Sequence, residues 1–384
     1  MGGRFLKKKS VRYSPTICVT HRCNLDCVYC YQKHDGNSDM TFEVAQKCID
    51  WIFSNIPDYA KDGVEVGFIG GEPLLQFQLL TDIYDYTMEK YPNTQKIFYA
   101  TTNGSLLTEE MKVWFFEHKE TFILGLSLDG ARDTHNHNRS NSFDLIDFDF
   151  FRNTWPNQGV KMTLSDYSLP RLAENIKFVH SLGFSKINGV NLAEGDFDWN
   201  REEYVKVLEE QLQEIVEYYV ENDDIQLNQM LDKKIFMCES KKKEKKKWCG
   251  IGTGTTFFDI DGKRYPCPFV TPMTFDEDDI KALVNDVDYS KDEDFVDKDC
   301  FDNCYIYPLC SICYGANYLN SKKLNVRDKG KCRIQKLIAL FSADVQAKRI
   351  LKNKTKYDDK ELYYTIEAIK KIREKYLEEF PELK

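Results

Sequence analysis

The segment Thr16-Ile17-Cys18-Val19-Thr20-His21-Arg22-Cys23-Asn24-Leu25-Asp26-Cys27-Val28-Tyr29-Cys30 decides how the rest of the chain is read. Its first five residues are rich in β-branched side chains, which favour a strand. Three cysteines follow in the pattern Cys23-x3-Cys27-x2-Cys30. A loop leaving a strand end can bring three thiolates onto one soft metal centre. Two kinds of centre fit. Tetrahedral zinc takes four ligands, and His21 is a candidate fourth. A cubane 4Fe–4S cluster also takes four thiolates, so three cysteines leave one iron open to a non-protein ligand.

Outward from this segment the chain alternates β-like runs with helical patterns. The strand candidates are Thr16–Thr20, Val64–Ile69, Ile97–Thr102, Phe122–Asp129, Val160–Leu164 and Lys186–Leu192, several of them followed by Gly, Asn or Asp. Between them Thr41–Phe53 sets Val44, Cys48, Ile49 and Ile52 at helical spacing, and Leu74–Tyr91, Glu109–Lys119, Leu169–Leu182 and Arg201–Val220 read similarly. Strict alternation implies an α/β fold with a parallel sheet covered by helices. Six units predict a partial (β/α)6 TIM-like barrel over residues 1–225, with its chemistry at the C-terminal strand ends. Residues 226–335 carry few long periodic segments and most of the remaining cysteines, as expected of a small cysteine-rich domain held by ligands. Residues 336–384 read as C-terminal helices, with amphipathic Leu362–Phe380 packing back on the body.

Composition narrows the class. Of 384 residues, 42% are hydrophobic and 30% charged, an ordinary globular profile. No run of about 18 apolar residues exists to cross a membrane. Basic Met1–Ser10 leads into no apolar signal core, so a reducing cytoplasm is expected. There the 13 cysteines read as cluster or metal ligands, reactive thiols or small core residues, Cys18 and Cys48 being core candidates. A net charge of −9 gives no footprint for nucleic acid. The lysine-rich Lys241–Lys247 and the acidic Asp276–Asp299 read as solvated loops.

Other strand ends carry polar or glycine-rich signals. Gly70-Gly71-Glu72-Pro73 allows close backbone approach of a ligand, or simply a tight turn. Thr101, Thr102 and Asn103 suit ligand contact or helix capping. Ser127-Leu128-Asp129-Gly130 ends the fourth strand, and Asp129 reads equally as a substrate-orienting group or a turn residue. The C-terminal cysteines form the set Cys249, Cys267, Cys300-x3-Cys304-x5-Cys310-x2-Cys313 and Cys332, with Cys238 apart. By themselves these eight could equally build two structural zinc sites or iron–sulfur clusters.

The Cys-x3-Cys-x2-Cys motif, with Tyr29 before its last cysteine, resembles the signature of radical S-adenosylmethionine (SAM) enzymes. That resemblance implies a 4Fe–4S cluster on Cys23, Cys27 and Cys30 whose open iron binds SAM. It implies that Gly70, Gly71 and Glu72 meet the SAM amino group and that Thr102 and Asn103 lie at the cofactor site. Ser127 would sit near the ribose, Tyr29 near the adenine, and Arg139 on the SAM carboxylate, to which a guanidinium can offer two donors. Trp248-Cys249-Gly250 through Gly262-x4-Cys267, with the later cysteines, resembles the SPASM domain of peptide-modifying members. The later spacing departs, being x3, x5, x2 where the family has x2, x5, x3. The resemblance implies an outer auxiliary cluster on Cys300, Cys304, Cys310 and Cys332. An inner one would lie on Cys249, Cys267 and Cys313, with Cys238 the candidate fourth ligand or an iron left open.

The implied function is a radical SAM enzyme that cleaves SAM to a 5′-deoxyadenosyl radical and modifies a peptide or protein side chain, as a crosslink or thioether maturase. Its partners would be the peptide, an electron donor such as flavodoxin or ferredoxin, and a separate leader-binding protein, since the chain starts shortly before the barrel. The alternative is a formylglycine-forming sulfatase-maturing enzyme. Those enzymes carry an Asp base where this chain has Pro268 after Cys267. A non-catalytic zinc-binding module is the remote alternative.

Overall fold

The computed structural model describes residues 12–33, 38–194, 197–239, 244–353 and 359–380. Strands and helices alternate as β1 (Thr16–Thr20), α1 (Phe42–Ser54), β2 (Val64–Gly70), α2 (Phe77–Lys90), β3 (Lys96–Thr102), α3 (Glu109–Glu117) and β4 (Phe122–Leu126). Two short helices follow, α4 (Arg132–Asn138) and α5 (Phe148–Thr154). The alternation resumes with β5 (Val160–Leu164), α6 (Leu172–Ser181), β6 (Ile187–Leu192) and α7 (Glu202–Glu221). Polar side chains start several helices: Thr41, Thr108 and Asp147 each accept from a backbone N–H three residues on. The expected strand ending at Asp129 stops at Leu126, leaving Ser127–Gly130 as the loop into α4.

Strands β1 to β4 pair in parallel in the order β4-β3-β2-β1, and β5 pairs in parallel with β6. A parallel bridge between Ser127 and Lys161 joins the two sets, so the six strands follow one arc, the expected partial barrel. Alternate residues of β2, β3 and β5 are buried towards the helices, as period-two side chains require. There Phe68, Phe98 and Phe122 stack with ring centroids 5.8–6.1 Å apart, and Tyr84, Trp114 and Phe115 pack edge-on or tilted around them. Cys18 and Cys48 are buried core residues.

The cysteine-rich segment is less separate than its composition implies. A hairpin of β7 (Phe257–Phe258) and β8 (Arg264–Tyr265) continues the first sheet, with β7 parallel to β1. An edge of β1 would otherwise present unpaired backbone groups, so the sheet crosses the expected 225/226 boundary. The segment also has a small apolar core of its own around Phe269, Phe275, Leu283, Phe295 and Tyr314. Helices α8 (Glu277–Asn285), α9 (Lys298–Asn303) and α10 (Tyr314–Ser321) complete it, so part of the acidic stretch read as loop is helical. Of the lysine run, residues 241–243 lie outside the described residues. Lys247 is no solvated side chain, for its ammonium donates to Ile251 O, Thr253 Oγ1 and Tyr289 O. Helix α11 (Cys332–Lys352) packs on α7 and on α12 (Asp359–Glu379), and Arg349 donates to the Tyr219 and Ile225 carbonyls. No helix among the described residues is long and apolar enough to cross a membrane.

Phe122→Ala leaves a hole at the centre of the aromatic stack and should cost about 3–5 kcal/mol. The check is a lower urea midpoint at an unchanged slope.

Candidate functional site

The loop carrying Cys23, Cys27 and Cys30 leaves β1 and is tied to every neighbouring strand end. Gly71 N–H donates to Thr20 O and Glu72 N–H to Arg22 O, anchoring it to the end of β2. Asn103 Nδ2 donates to Asn24 Oδ1 and Asn24 Nδ2 to Ser105 Oγ, anchoring it to β3. Asp26 N–H donates to Ser140 Oγ and Val28 N–H to Asn138 O, anchoring it to the end of α4. Ser140 and Asn141 hold φ of 52° and 58°, a left-handed conformation that non-glycine residues keep only where the surroundings enforce it. A Cβ on Gly71 would lie 2.4 Å from Arg22 O and 2.7 Å from Cys23 Cβ, so only glycine admits this approach.

Behind the loop stands Asp129, fully buried in the Ser127–Gly130 loop that follows β4. Its carboxylate accepts from Arg139 Nε (3.0 Å) and Nη2 (3.3 Å), Tyr29 Oη (2.6 Å), Asn138 Nδ2 (3.2 Å) and Thr163 N (3.0 Å). Burial acts to raise this carboxyl, but the Arg139 guanidinium, His135, the Thr163 N–H and the Tyr29 hydroxyl outweigh it, and its pKa lies below the usual range. Asp129 is therefore neither a bare turn residue nor a free substrate-orienting group. It is the counter-ion that fixes Arg139 and Tyr29, with the Arg139 guanidinium 5.4 Å from the Tyr29 ring centre. His135, buried and pushed down to about 4 chiefly by burial, is neutral at pH 7.

The other cofactor candidates line the same rim. Glu72 is buried, and its carboxylate takes Leu74 N–H, Thr102 Oγ1 and Asn103 N–H, so it braces β2 against β3. Burial pushes its pKa up to about 7 against those donors, a poise that a bound cation would relieve. Gly70 ends β2, and Ser127, also buried, donates its N–H to Thr102 O. Burial raises Cys27 to about 11, with Asp129, Cys30 and Cys23 adding to it and Arg139 opposing. His21 is not at hand as a zinc ligand beside these thiols: its Nε2 lies 2.6 Å from Asp259 Oδ1, beyond β7, in a cluster with Cys18.

All 13 cysteines are free thiols. In the C-terminal region they fall into two groups. Cys300, Cys304, Cys310, Cys313 and Cys332 line a cavity of about 380 Å³ between the end of β6 and α11. Burial raises Cys310 to about 11, Arg327 opposes, and Cys304, Cys332 and Cys300 add to it. Burial likewise raises Cys267 to about 12, with Cys313 and Cys249 adding to it. The structure does not bring Cys238 to that second group. It packs with Ile235, Ile306 and Leu309 against α11 and α12, beside Cys304 and Cys310, because its short turn is gripped by those helices.

The chemistry of the donors fits iron–sulfur clusters. Sulfur dominates the donors on the loop and around the cavity, with Asp297 and Asp299 beside Cys300, and Arg327 lines the cavity with its buried Nε unpartnered, a position suited to an anionic centre.

Residues 17–147 match the family model described as the radical SAM superfamily. Among curated proteins the chain is 26% identical over 261 residues to an uncharacterized protein of Methanocaldococcus jannaschii, MJ0907 (65% of this chain, 82% of that one). It is 23% identical over 359 residues to the radical SAM cyclopropyl synthase TigE of Paramaledivibacter caminithermalis (84% and 72%). It is 28% identical over 133 residues to a cysteine-type anaerobic sulfatase-maturating enzyme of Clostridium perfringens (33% and 35%). In fold it resembles anSMEcpe with bound AdoMet and Cp18Cys peptide (TM-score 0.65, 17% identity, 88% and 98% covered). It also resembles Streptococcus suis SuiB bound to its precursor peptide SuiA (TM-score 0.55, 16% identity, 84% and 76%). Residues 17–147 carry a radical SAM domain, and the chain resembles radical SAM enzymes of the SPASM type, a family that binds 4Fe–4S clusters and SAM.

The three-cysteine loop was legible from its spacing, and Glu72 and Arg139 were singled out by the family resemblance it carries. The Asp129 hub, the Asn24–Asn103 link and the His21–Asp259 strap were not, since each joins residues far apart in sequence. The run Arg327-Asp328-Lys329-Gly330-Lys331 just ahead of Cys332 was a visible signal of cations near the outer thiols.

Asp129→Asn should cost about 3–5 kcal/mol at neutral pH, because it leaves Arg139 buried without its counter-charge. The native carboxyl is depressed, so its stabilisation is present above the unfolded value of about 4 and is lost as pH falls through the folded one. Urea unfolding of parent and variant should converge at low pH. Gly71→Ala should lower the iron bound at the N-terminal loop while the C-terminal groups keep theirs, read as iron per chain with and without Cys27→Ala.

Proposed function

We propose that this chain modifies a side chain of a peptide or protein, forming a thioether or carbon–carbon crosslink. The observation that carries the reading is the gathering of Cys300, Cys304, Cys310, Cys313 and Cys332 around one cavity beside the end of β6, in addition to the three-thiol loop after β1. Cys23, Cys27 and Cys30 would hold the cluster that binds SAM. Bound there, SAM and its cluster supply a 5′-deoxyadenosyl radical able to take a hydrogen atom from carbon.

The chain's own residues position that chemistry. Arg139, oriented by Asp129, would offer its remaining donors to the SAM carboxylate. Glu72 would accept from the SAM ammonium, whose charge would favour the ionised carboxylate. Tyr29, Gly70, Gly71, Thr102, Asn103 and Ser127 would complete the SAM site. Cys300, Cys304, Cys310 and Cys332 would hold the outer auxiliary cluster. Cys249, Cys267 and Cys313 would hold an inner one with an iron open to a substrate thiolate, since Cys238 packs elsewhere. A flavodoxin or ferredoxin would supply electrons, and a separate protein would hold any leader peptide.

The structural neighbours anSMEcpe and SuiB are each bound to a peptide, which supports a peptide substrate. The likeness to the Clostridium perfringens sulfatase-maturating enzyme favours a second reading, formylglycine formation, over part of the chain. Against it stands Pro268, which cannot take a proton.

Cys27→Ala should abolish 5′-deoxyadenosine formation; persistence of that product would overturn the SAM-site assignment. Glu72→Gln should weaken SAM binding about tenfold by equilibrium dialysis, the loss expected for one charge-assisted hydrogen bond. Cys238→Ala should leave iron per chain unchanged. Incubation with peptides encoded beside the gene should give products lighter by a pair of hydrogens, whereas aldehyde formation on a sulfatase peptide would favour the second reading.

A further inference from the structure

The cavity lined by Cys300, Cys304, Cys310 and Cys332 is also lined by Lys233, Arg327, Lys331 and Lys336. Two of these cations are neutralised: Lys331 pairs with Glu194 at 2.5 Å, and Lys336 pairs with Glu379. The other two are not. Arg327 is only 6% exposed, its Nε has no hydrogen-bond partner, and its guanidinium lies 4.4 Å from the Tyr307 ring centre. The nearby carboxylates are committed elsewhere. Asp297 accepts from the backbone N–H groups of Cys300 and Arg327, and Asp328 accepts from Gly330 N–H and Asn320 Nδ2. No carboxylate pairs with Lys233 among the described residues. Lys329 is paired as well, with Asp299 at 3.1 Å and Asp297 at 3.8 Å, and acts instead through a direct contact, its ammonium donating to Cys300 Sγ at 3.1 Å.

A buried guanidinium without a counter-charge is costly, so an anion in this cavity is its natural partner. A cubane held by four thiolates is such an anion, and accepting one electron makes it more negative. No bond forms or breaks and no proton need move. Fixed positive charge therefore favours the reduced state. The other two groups lack this surplus. Arg139, the cation beside Cys27, is neutralised by Asp129. The Lys247 ammonium, near Cys249, is satisfied by three oxygens and faces Asp292 at 3.7 Å.

We propose that Arg327, assisted by Lys233 and Lys329, is the built-in counter-charge of the outer cluster and makes it the highest-potential of the three centres, where an electron entering the C-terminal region comes to rest. This rests on the outer four thiolates holding a 4Fe–4S cluster.

The test is a dithionite titration of the anaerobically reconstituted full chain with redox mediators, followed by electron paramagnetic resonance. The outer signal is the one lost in Cys310→Ala. It should be the first to form in the parent protein. Arg327→Gln should lower its reduced-to-oxidised ratio at a fixed poise about tenfold, a shift of about 59 mV for a one-electron couple. Arg327→Lys should restore most of it, and the other two signals should not move. Lys329→Met, at an exposed side chain, should shift the same signal in the same direction by less. If Arg327→Gln fails to assemble, Lys233→Met and Lys329→Met decide. Full iron with an unmoved outer signal in the assembled variants, or another signal forming first, would overturn the proposal. A parent protein in which Cys310→Ala removes neither iron nor signal would instead refute the underlying cluster, and the proposal with it.

Discussion

The buried ion pair between Asp129 and Arg139 is the interaction on which the site depends. One carboxylate gathers donors from the cluster loop, from α4 and its C-terminal cap, and from β5. In a low-dielectric interior such a pair is tolerated only when every lone pair is used, and here five donors use them. The consequence is positional. Tyr29 cannot leave Asp129 without exposing a charge, so the loop bearing Cys23, Cys27 and Cys30 is held against the strand ends before any cofactor arrives. The left-handed pair Ser140–Asn141 is the local strain that this closure imposes.

A second constraint joins the halves of the molecule. The hairpin β7–β8 extends the sheet beyond β1, and Asp259, next to β7, reaches back to His21, two residues before Cys23. The inner thiol Cys267 follows β8 by two residues. Backbone pairing thus fixes how far the inner thiols stand from the N-terminal loop, and the position does not rest on a flexible linker. The outer thiols are placed differently, by α9, α10 and the start of α11 around a cavity whose cations await an anion.

Much of this was legible in the chain. Strand positions followed from β-branched runs ending in polar or glycine residues, and β1 and β5 lie where the pattern put them. Helix starts followed from Thr41 and Thr108, whose hydroxyls cap as local chemistry requires. The fourth strand ended early because Ser127–Gly130 had partners across the barrel that no local signal announces. Asp129 could not be resolved between two roles for the same reason. Cys238, eleven residues before Cys249, was paired with it by proximity in sequence, but apolar packing against α11 and α12 takes it to the other group.

The sequence by itself determined the alternation of strand and helix, the three-thiol loop after the first strand and the stock of sulfur ligands. These depend on side-chain type at short spacing, which propensity and periodicity record. Only the tertiary structure decided which thiols share a group, which carboxylate compensates Arg139, and which cations are left without one. Those are matters of distance and burial for residues remote in sequence, and electrostatic and metal-binding energies depend on both.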